Sequence, residues 1–217
     1  ELERRMGVPV AGVVPYTPLD LDDEDGFSAM QGSSAANALL DIAVVRLPHI
    51  SNFTDLDALT ALPEVRVRYV SHAEELGQPD LVVLPGTKAT LGDLAWMGTH
   101  GLDAALRQHA VAGGLVLGIC GGYQMLGLEI HDPLGVEGGG CQEGLGLLPV
   151  RTAFTQEKTL CSSAGTTLQL EGSFASLSNL DVAGYQIHMG QTTPEGGMSF
   201  CLLTDAGEGA NDIAQAY

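Results

Sequence analysis

Between Leu115 and Gly127 the chain runs an apolar strand-like stretch, Leu115-Val116-Leu117, into Gly118-Ile119-Cys120-Gly121-Gly122, and then into Tyr123-Gln124-Met125-Leu126-Gly127. No other segment constrains the fold as tightly. A strand that passes straight into a helix needs a sharp turn, and Gly118 and Gly122, spaced evenly about Cys120, predict positions where a side chain would not fit. The cysteine at such an elbow stands above the end of a sheet. Amides at the start of the following helix favour its thiolate and offer donors to an oxyanion. A lone cysteine is ordinarily a small buried hydrophobe; the glycines and the change from strand to helix make Cys120 the candidate nucleophile instead. Cys141, Cys161 and Cys201 have no such setting, no C-x-x-C spacing and no histidines at metal-ligand spacing. They read as structural or incidental, and no metal site is expected.

The surrounding pattern predicts an α/β architecture. Asp41 to Leu47 reads as a buried strand, with a helical stretch after Thr54, and Val65 to Val70 alternates as a second strand. Asp80 to Leu84 is a short apolar run that ends in the loop Pro85-Gly86-Thr87, and a helix is expected around Leu102 to Ala112 before the strand into Cys120. Strands alternating with helices imply a mostly parallel sheet with helices on both faces. Ligands of such sheets collect beyond the carboxyl ends of the strands, so the Pro85-Gly86-Thr87 loop and Cys120 are predicted to share one crevice. There the backbone amides of Gly86 and Gly121 would form a two-donor oxyanion hole. Beyond Val136 the chain is richer in Gly, Ser and Thr. Short strands, some antiparallel, are expected at Leu145 to Val150, Thr167 to Leu170, Val182 to Ile187 and Ser199 to Leu203.

A thiol nucleophile ordinarily works with a base. Of the six histidines, His188 stands in the most motif-like setting, between glycines on an expected strand, although a hydrogen-bonded structural histidine is the competing reading. His100 and His109 read as surface residues of an amphipathic helix. With 27 acidic against 9 basic residues the net charge is -18, which opposes binding to phosphate backbones and excludes nucleic acid as an expected partner. No apolar run approaches the roughly 20 residues of a membrane span. Four unpatterned cysteines suit a reducing cytoplasm, where the protein is expected to reside. The start, Glu1 to Val10, lacks both an initiator methionine and a signal-peptide pattern, so the chain reads as part of a longer protein. Proline in Val8 to Pro15 marks an edge strand, the acids of Asp20 to Asp25 mark a connector, and a domain boundary is expected near Ala35.

Five pieces of the chain resemble the class I, or triad, glutamine amidotransferases, in the branch of the cobyric acid and cobyrinic acid a,c-diamide synthases, most nearly the cobyric acid type. They are Leu40 to Leu59 (LDIAVVRLPHISNFTDLDAL), Leu84 to Thr90 (LPGTKAT), Gly118 to Gly127 (GICGGYQMLG), Gly144 to Val150 (GLGLLPV) and Gly184 to Thr192 (GYQIHMGQT). The first is specific to this branch. The resemblance implies a flavodoxin-like glutaminase domain over 36–217, and over 1–35 the end of an amidoligase domain with its connector. It implies hydrolysis of L-glutamine at Cys120, with Gly86, Gly121 and Gln124 around the substrate. The ammonia would pass to the ligase domain of the same polypeptide, which amidates a corrinoid substrate. The glutaminase domain needs no cofactor, whereas ATP and magnesium are expected for the ligase. The family's usual catalytic histidine lies in a Tyr-Leu-His-Gly type segment not found up to Tyr217, and His188 matches a different family histidine, in the Gly-Tyr-x-Ile-His motif. Other readings are an amidotransferase serving another ligase, a non-catalytic interaction domain of the same fold, and a cysteine peptidase of similar topology.

Overall fold

Strand β1 (Leu40–Val45) buries both of its faces: Ala43 and Val45 point into one apolar cluster, Ile42 and Val44 into another. Such two-sided burial marks the interior strand of a parallel sheet. β1 pairs in parallel with β2 (Val65–Val70) on one side and β3 (Leu81–Leu84) on the other, and β3 pairs in parallel with β4 (Leu115–Gly118). The order β2-β1-β3-β4 follows the flavodoxin-like pattern as far as it extends. The computed structural model describes residues 38–51, 53–205 and 213–215, together with Glu3, Arg5 and Gly7. The expected Val8 to Pro15 strand, the acidic connector and the boundary near Ala35 lie outside the described residues.

One face of the sheet is covered by helices α3 (Thr90–Thr99) and α4 (Leu102–Val111), whose Leu91, Leu94, Met97, Leu102 and Leu106 join Val82 and Leu84 in the larger cluster. Each such side chain contributes about 1.5–3 kcal/mol by leaving water. The other face is closed by Leu56, from the 3-10 turn Phe53–Leu56 that leads into the short helix α1 (Asp57–Thr60). Helix α2 (Ala73–Leu76) completes this half, and α5 (Gly121–Leu126) follows β4. Among the described residues no helix is long and apolar enough to cross a membrane.

The remaining strands build a second, six-stranded sheet, largely antiparallel: β5 (Glu129–Asp132), β6 (Gly140–Glu143), the 18-residue β7 (Val150–Thr167), β8 (Asp181–Pro194), β9 (Ser199–Asp205) and β10 (Ile213–Gln215). The expected strands at Val182 to Ile187 and Ser199 to Leu203 lie inside β8 and β9. Leu145 to Val150 is corrected to a loop, with only Val150 entering β7. Its amides bond to the carboxyl end of α5, Leu145 N to Met125 O and Leu147 N to Leu126 O, while Leu145 and Leu148 fill the core. Thr167 to Leu170 is likewise corrected: the strand stops at Thr167, whose backbone N–H and C=O bond to Leu180 and Asn179 across a turn. His100 is not on α4 but follows α3, half-buried, with its ring stacked on Trp96 at 4.2 Å. His109 is half-buried on α4, with Nε2 3.2 Å from the Leu115 carbonyl.

Candidate active site

Cys120 sits between β4 and α5 with φ 51° and ψ −111°, one of two non-glycine residues with positive φ among the described residues. A backbone in this region costs on the order of 1–3 kcal/mol and persists only where its surroundings impose it. The surroundings are visible. A Cβ on Gly118 would lie 2.7 Å from both N and Cα of Tyr123, and one on Gly122 would lie 2.7 Å from the Pro85 carbonyl oxygen and still closer to that of Leu84. The elbow is thus held by main chain against main chain. Ile119 N donates to Leu84 O at 2.9 Å, carrying the β3–β4 pairing one residue past the strand ends. The thiol-bearing residue stays exposed.

Gly86 comes to the same place from β3. A Cβ built on it would lie 3.7 Å from Cys120 Cβ, and one on Gly121 would lie 2.8 Å from Thr87 Cγ2, so the loop and the elbow are in contact. Both glycines are buried. Among the described residues no protein acceptor takes the N–H of Gly86 or of Gly121. Buried amides are normally paired, so two unpaired donors beside one thiol form a site able to receive an oxygen that gains negative charge. The Gly86 carbonyl, by contrast, is engaged, accepting from Ser51 N at 2.8 Å.

The segment after β1 closes over this loop. Ile50 and Thr87 form an antiparallel bridge, and Lys88 N donates to His49 O at 3.0 Å. Beneath it lies Asp93 of α3, fully buried. Its carboxylate accepts from Thr87 Oγ1 at 2.5 Å, from His49 Nδ1 at 2.7 Å and from His49 N at 3.2 Å. An ionised carboxylate only accepts, so His49 Nδ1 carries the proton here. Sequence reading missed this cluster, yet a signal existed. Thr90, Asp93, Leu94 and Met97 share helical spacing, which puts an acid on the core-facing row of α3, where it must find donors.

Gln124 is buried and donates from Nε2 to the Met189 carbonyl at 3.1 Å, tying α5 to β8. His188, the neighbour of Met189, is half-buried, with Nδ1 3.1 Å from Gly190 O and Nε2 3.4 Å from Gln186 Oε1. Successive residues of a strand face opposite ways. Met189 packs against the larger cluster, so His188 projects from the other side of β8. Of the other thiols, Cys201 is buried, and burial pushes it up. Cys141 is pushed up by local desolvation and then by the Glu129 carboxylate. Both shifts lower thiolate content and reactivity.

Two further acids shape the rim. Buried Asp132 accepts the amides of Val136, Glu137 and Gly139 at 2.8, 2.7 and 2.8 Å, which folds the loop after β5 back on itself. Burial alone would raise its carboxyl; the amides outweigh burial and hold it below its ordinary range. Glu137, carried by that loop, reaches Thr90 Oγ1 and Leu91 N at the start of α3, both at 3.2 Å, and its half-buried carboxyl is raised by desolvation.

A family model for the CobB/CobQ-like glutamine amidotransferase domain matches residues 41–215. The cobyric acid synthase of Ruminiclostridium cellulolyticum is 50% identical over 190 residues, covering 88% of this chain and 37% of that protein. That of Lachnoclostridium phytofermentans is 47% identical over 186 residues, 86% of this chain and 36% of that protein. That of Salmonella arizonae is 50% identical over 202 residues, 91% of this chain and 39% of that protein. The chain thus spans less than two fifths of the length of these curated relatives. A solved structure described as a glutamine amidotransferase superposes with a TM-score of 0.51, covering 75% of this chain and 84% of its own, at 16% identity, a likeness of fold.

Proposed function

We propose, for a chain that belongs to the family of CobB/CobQ-like glutamine amidotransferase domains, that it hydrolyses L-glutamine through Cys120 and supplies ammonia to an ATP-dependent amidoligase domain of the same polypeptide. The single observation that carries this reading is the forced elbow: a cysteine at φ 51°, walled by Gly118 and Gly122, beside two buried amides that no acceptor among the described residues takes. In the proposed reaction the Cys120 thiolate attacks the carboxamide carbon of glutamine. Negative charge gathers on the former carbonyl oxygen, where the N–H groups of Gly86 and Gly121 receive it. As the tetrahedral intermediate collapses the C–N bond breaks, its NH2 group takes up one proton, the equivalent of that lost by the thiol, and departs as ammonia, leaving a glutamyl thioester. Water then attacks the thioester, releasing glutamate and restoring the thiol.

The ligase would use this ammonia to amidate carboxyl groups of adenosylcobyrinic acid a,c-diamide. That substrate is favoured over other acceptors because the relatives at 47–50% identity are cobyric acid synthases. ATP and magnesium belong to the ligase reaction, and no residue described here is assigned to them. Gln124, through its tie to Met189, holds α5 and β8 together at the substrate site. His188 is a weaker candidate for the base, since both ring nitrogens lie against acceptors of its own strand.

The test compares nitrogen donors in the full-length enzyme. Cys120→Ala abolishes glutamine-dependent amidation and leaves ammonia-dependent amidation intact, because only the glutaminase half uses this thiol. Equal loss with both donors, in a variant shown to be folded, contradicts the assignment.

A further inference from the structure

We propose that Asp93 is the positioning residue of the oxyanion site: it fixes the loop that carries the Gly86 amide, a role that rests on the glutamine-hydrolysing reading of Cys120. Gly86 lies in the irregular chain after β3, where the main chain is tied only by the isolated bridge of Thr87 to Ile50 and the bonds flanking it. An amide that must meet a developing oxyanion has to be in place before the reaction. Asp93 and its partners add a side-chain tie to that backbone contact. Thr87, the residue after Gly86, has one hydroxyl hydrogen. At 2.5 Å from a buried carboxylate that hydrogen goes to Asp93, while the same oxygen accepts from Ala89 N at 3.1 Å. From the opposite side His49 gives Asp93 both its backbone N–H and its ring Nδ1–H, and its carbonyl accepts Lys88 N. One carboxylate therefore clamps the loop after β3 to the segment after β1. From that segment Ser51 N holds the Gly86 carbonyl.

Position in the fold makes the clamp stiff. Asp93 lies in the first turn of α3, on the row that packs into the core through Leu94 and Met97, so it cannot follow the loop if the loop moves. A carboxylate buried this deeply is tolerable only while its donors stay in place, so displacing Thr87 or His49 strands a charge. Thr87 also touches the elbow side, its Cγ2 filling the space a Cβ on Gly121 would need. Both proposed oxyanion donors thus abut a residue that Asp93 holds.

The experiment uses Asp93→Asn, Thr87→Val and Thr87→Ser in the full-length enzyme, with two readouts. One is glutamine-dependent turnover, resolved into kcat and KM, with ammonia-dependent amidation as the internal reference. The other is the rate at which iodoacetamide alkylates Cys120: the thiolate displaces iodide as the S–C bond forms, and no oxyanion develops. Asp93→Asn is expected to lower the glutamine kcat on the order of 100-fold, the scale of losing one oxyanion donor. KM stays within about threefold, as for an interaction made in the transition state. Thr87→Val removes the hydroxyl that bonds Asp93 and accepts from Ala89 N and costs about tenfold, and Thr87→Ser, which keeps the hydroxyl, restores turnover. Alkylation by iodoacetamide stays at the wild-type rate in all three. Parallel slowing of alkylation and turnover overturns the proposal, because Asp93 would then act on the thiol or on the fold at large. So does wild-type kcat in Asp93→Asn. If Asp93→Asn does not fold, the Thr87 pair decides: equal turnover in the Val and Ser variants rejects the clamp. None of these outcomes touches the assignment of Cys120, which the comparison of nitrogen donors in Cys120→Ala tests separately.

Discussion

The crevice at the ends of β3 and β4 and the β7–β8 ladder are built on opposite principles. Around Cys120 backbone meets backbone, with Gly118 and Gly122 at positions that admit no side chain and a buried carboxylate locking the neighbouring loop. Along the ladder the paired residues Leu160 and Ile187 remain 71% and 45% exposed and Tyr185 73% exposed, so few side chains there are held by a core. A reacting thiol and its oxyanion donors need positions fixed to a fraction of an ångström, and only the first region has the means. Gln124 spans the two, with its side chain on α5 donating to β8.

The strongest way to break this contrast is to crowd the tight region. Gly122→Val would drive a branched side chain into the Leu84 and Pro85 carbonyls. Overpacking of this kind costs about 1–3 kcal/mol of stability, read by denaturant titration. Displacing the adjacent donors lowers glutamine turnover by roughly 100-fold or more. Near-normal turnover in this variant would contradict the elbow geometry. Next comes the link. Gln124→Ala leaves the Met189 carbonyl without its buried donor and is expected to lower unfolding free energy by about 1–3 kcal/mol; an unchanged denaturation midpoint would show that α5 and β8 are held by other means.

The rim sharpens the contrast through pH. Because the folded-state pKa of Asp132 is depressed below 3.8, its contribution to stability is complete above that value and is lost as pH falls through the folded pKa. Hydrogen-exchange protection of the Val136, Glu137 and Gly139 amides is therefore constant from neutral pH down to about 5 and declines below about 4. The Asp132→Asn variant lacks this acid-dependent step. The smallest effect is expected at His188. His188→Ala leaves glutamine turnover within about threefold, whereas removal of a true general base costs 100- to 10,000-fold. A loss of that size with unchanged stability would make His188 the base.

What was legible in the sequence divides along the same line. Gly118, Cys120 and Gly122 declared the elbow because sterics at a strand-to-helix turn are local. β1 and β3 were legible because parallel strands buried on both faces read as continuous apolar runs, β2 because it alternates, and β4 because its apolar residues lead into the elbow. The long β7 was not. Its partners come from distant segments, its two ends pair with different stretches of β8 across a register shift, and Gly165 packs against the Leu202 carbonyl rather than marking a turn. Leu145 to Val150 looked like a strand because the run is largely apolar, but before Val150 it is a loop wrapped on α5 with Leu145 and Leu148 buried. The Asp93 cluster escaped because its three contributors, His49, Thr87 and Asp93, meet only after β1, β3 and α3 have assembled.

The most direct measurement of the central claim is covalent capture at the crevice. A diazoketone analogue of glutamine, followed by peptide mass spectrometry, is predicted to label Cys120 and leave Cys141, Cys161 and Cys201 unmodified. L-glutamine would suppress the labelling in proportion to its occupancy of the site, and peptides would not. Labelling spread over all four cysteines, or labelling of Cys120 that glutamine does not suppress, would contradict the assignment of this elbow as a glutamine site.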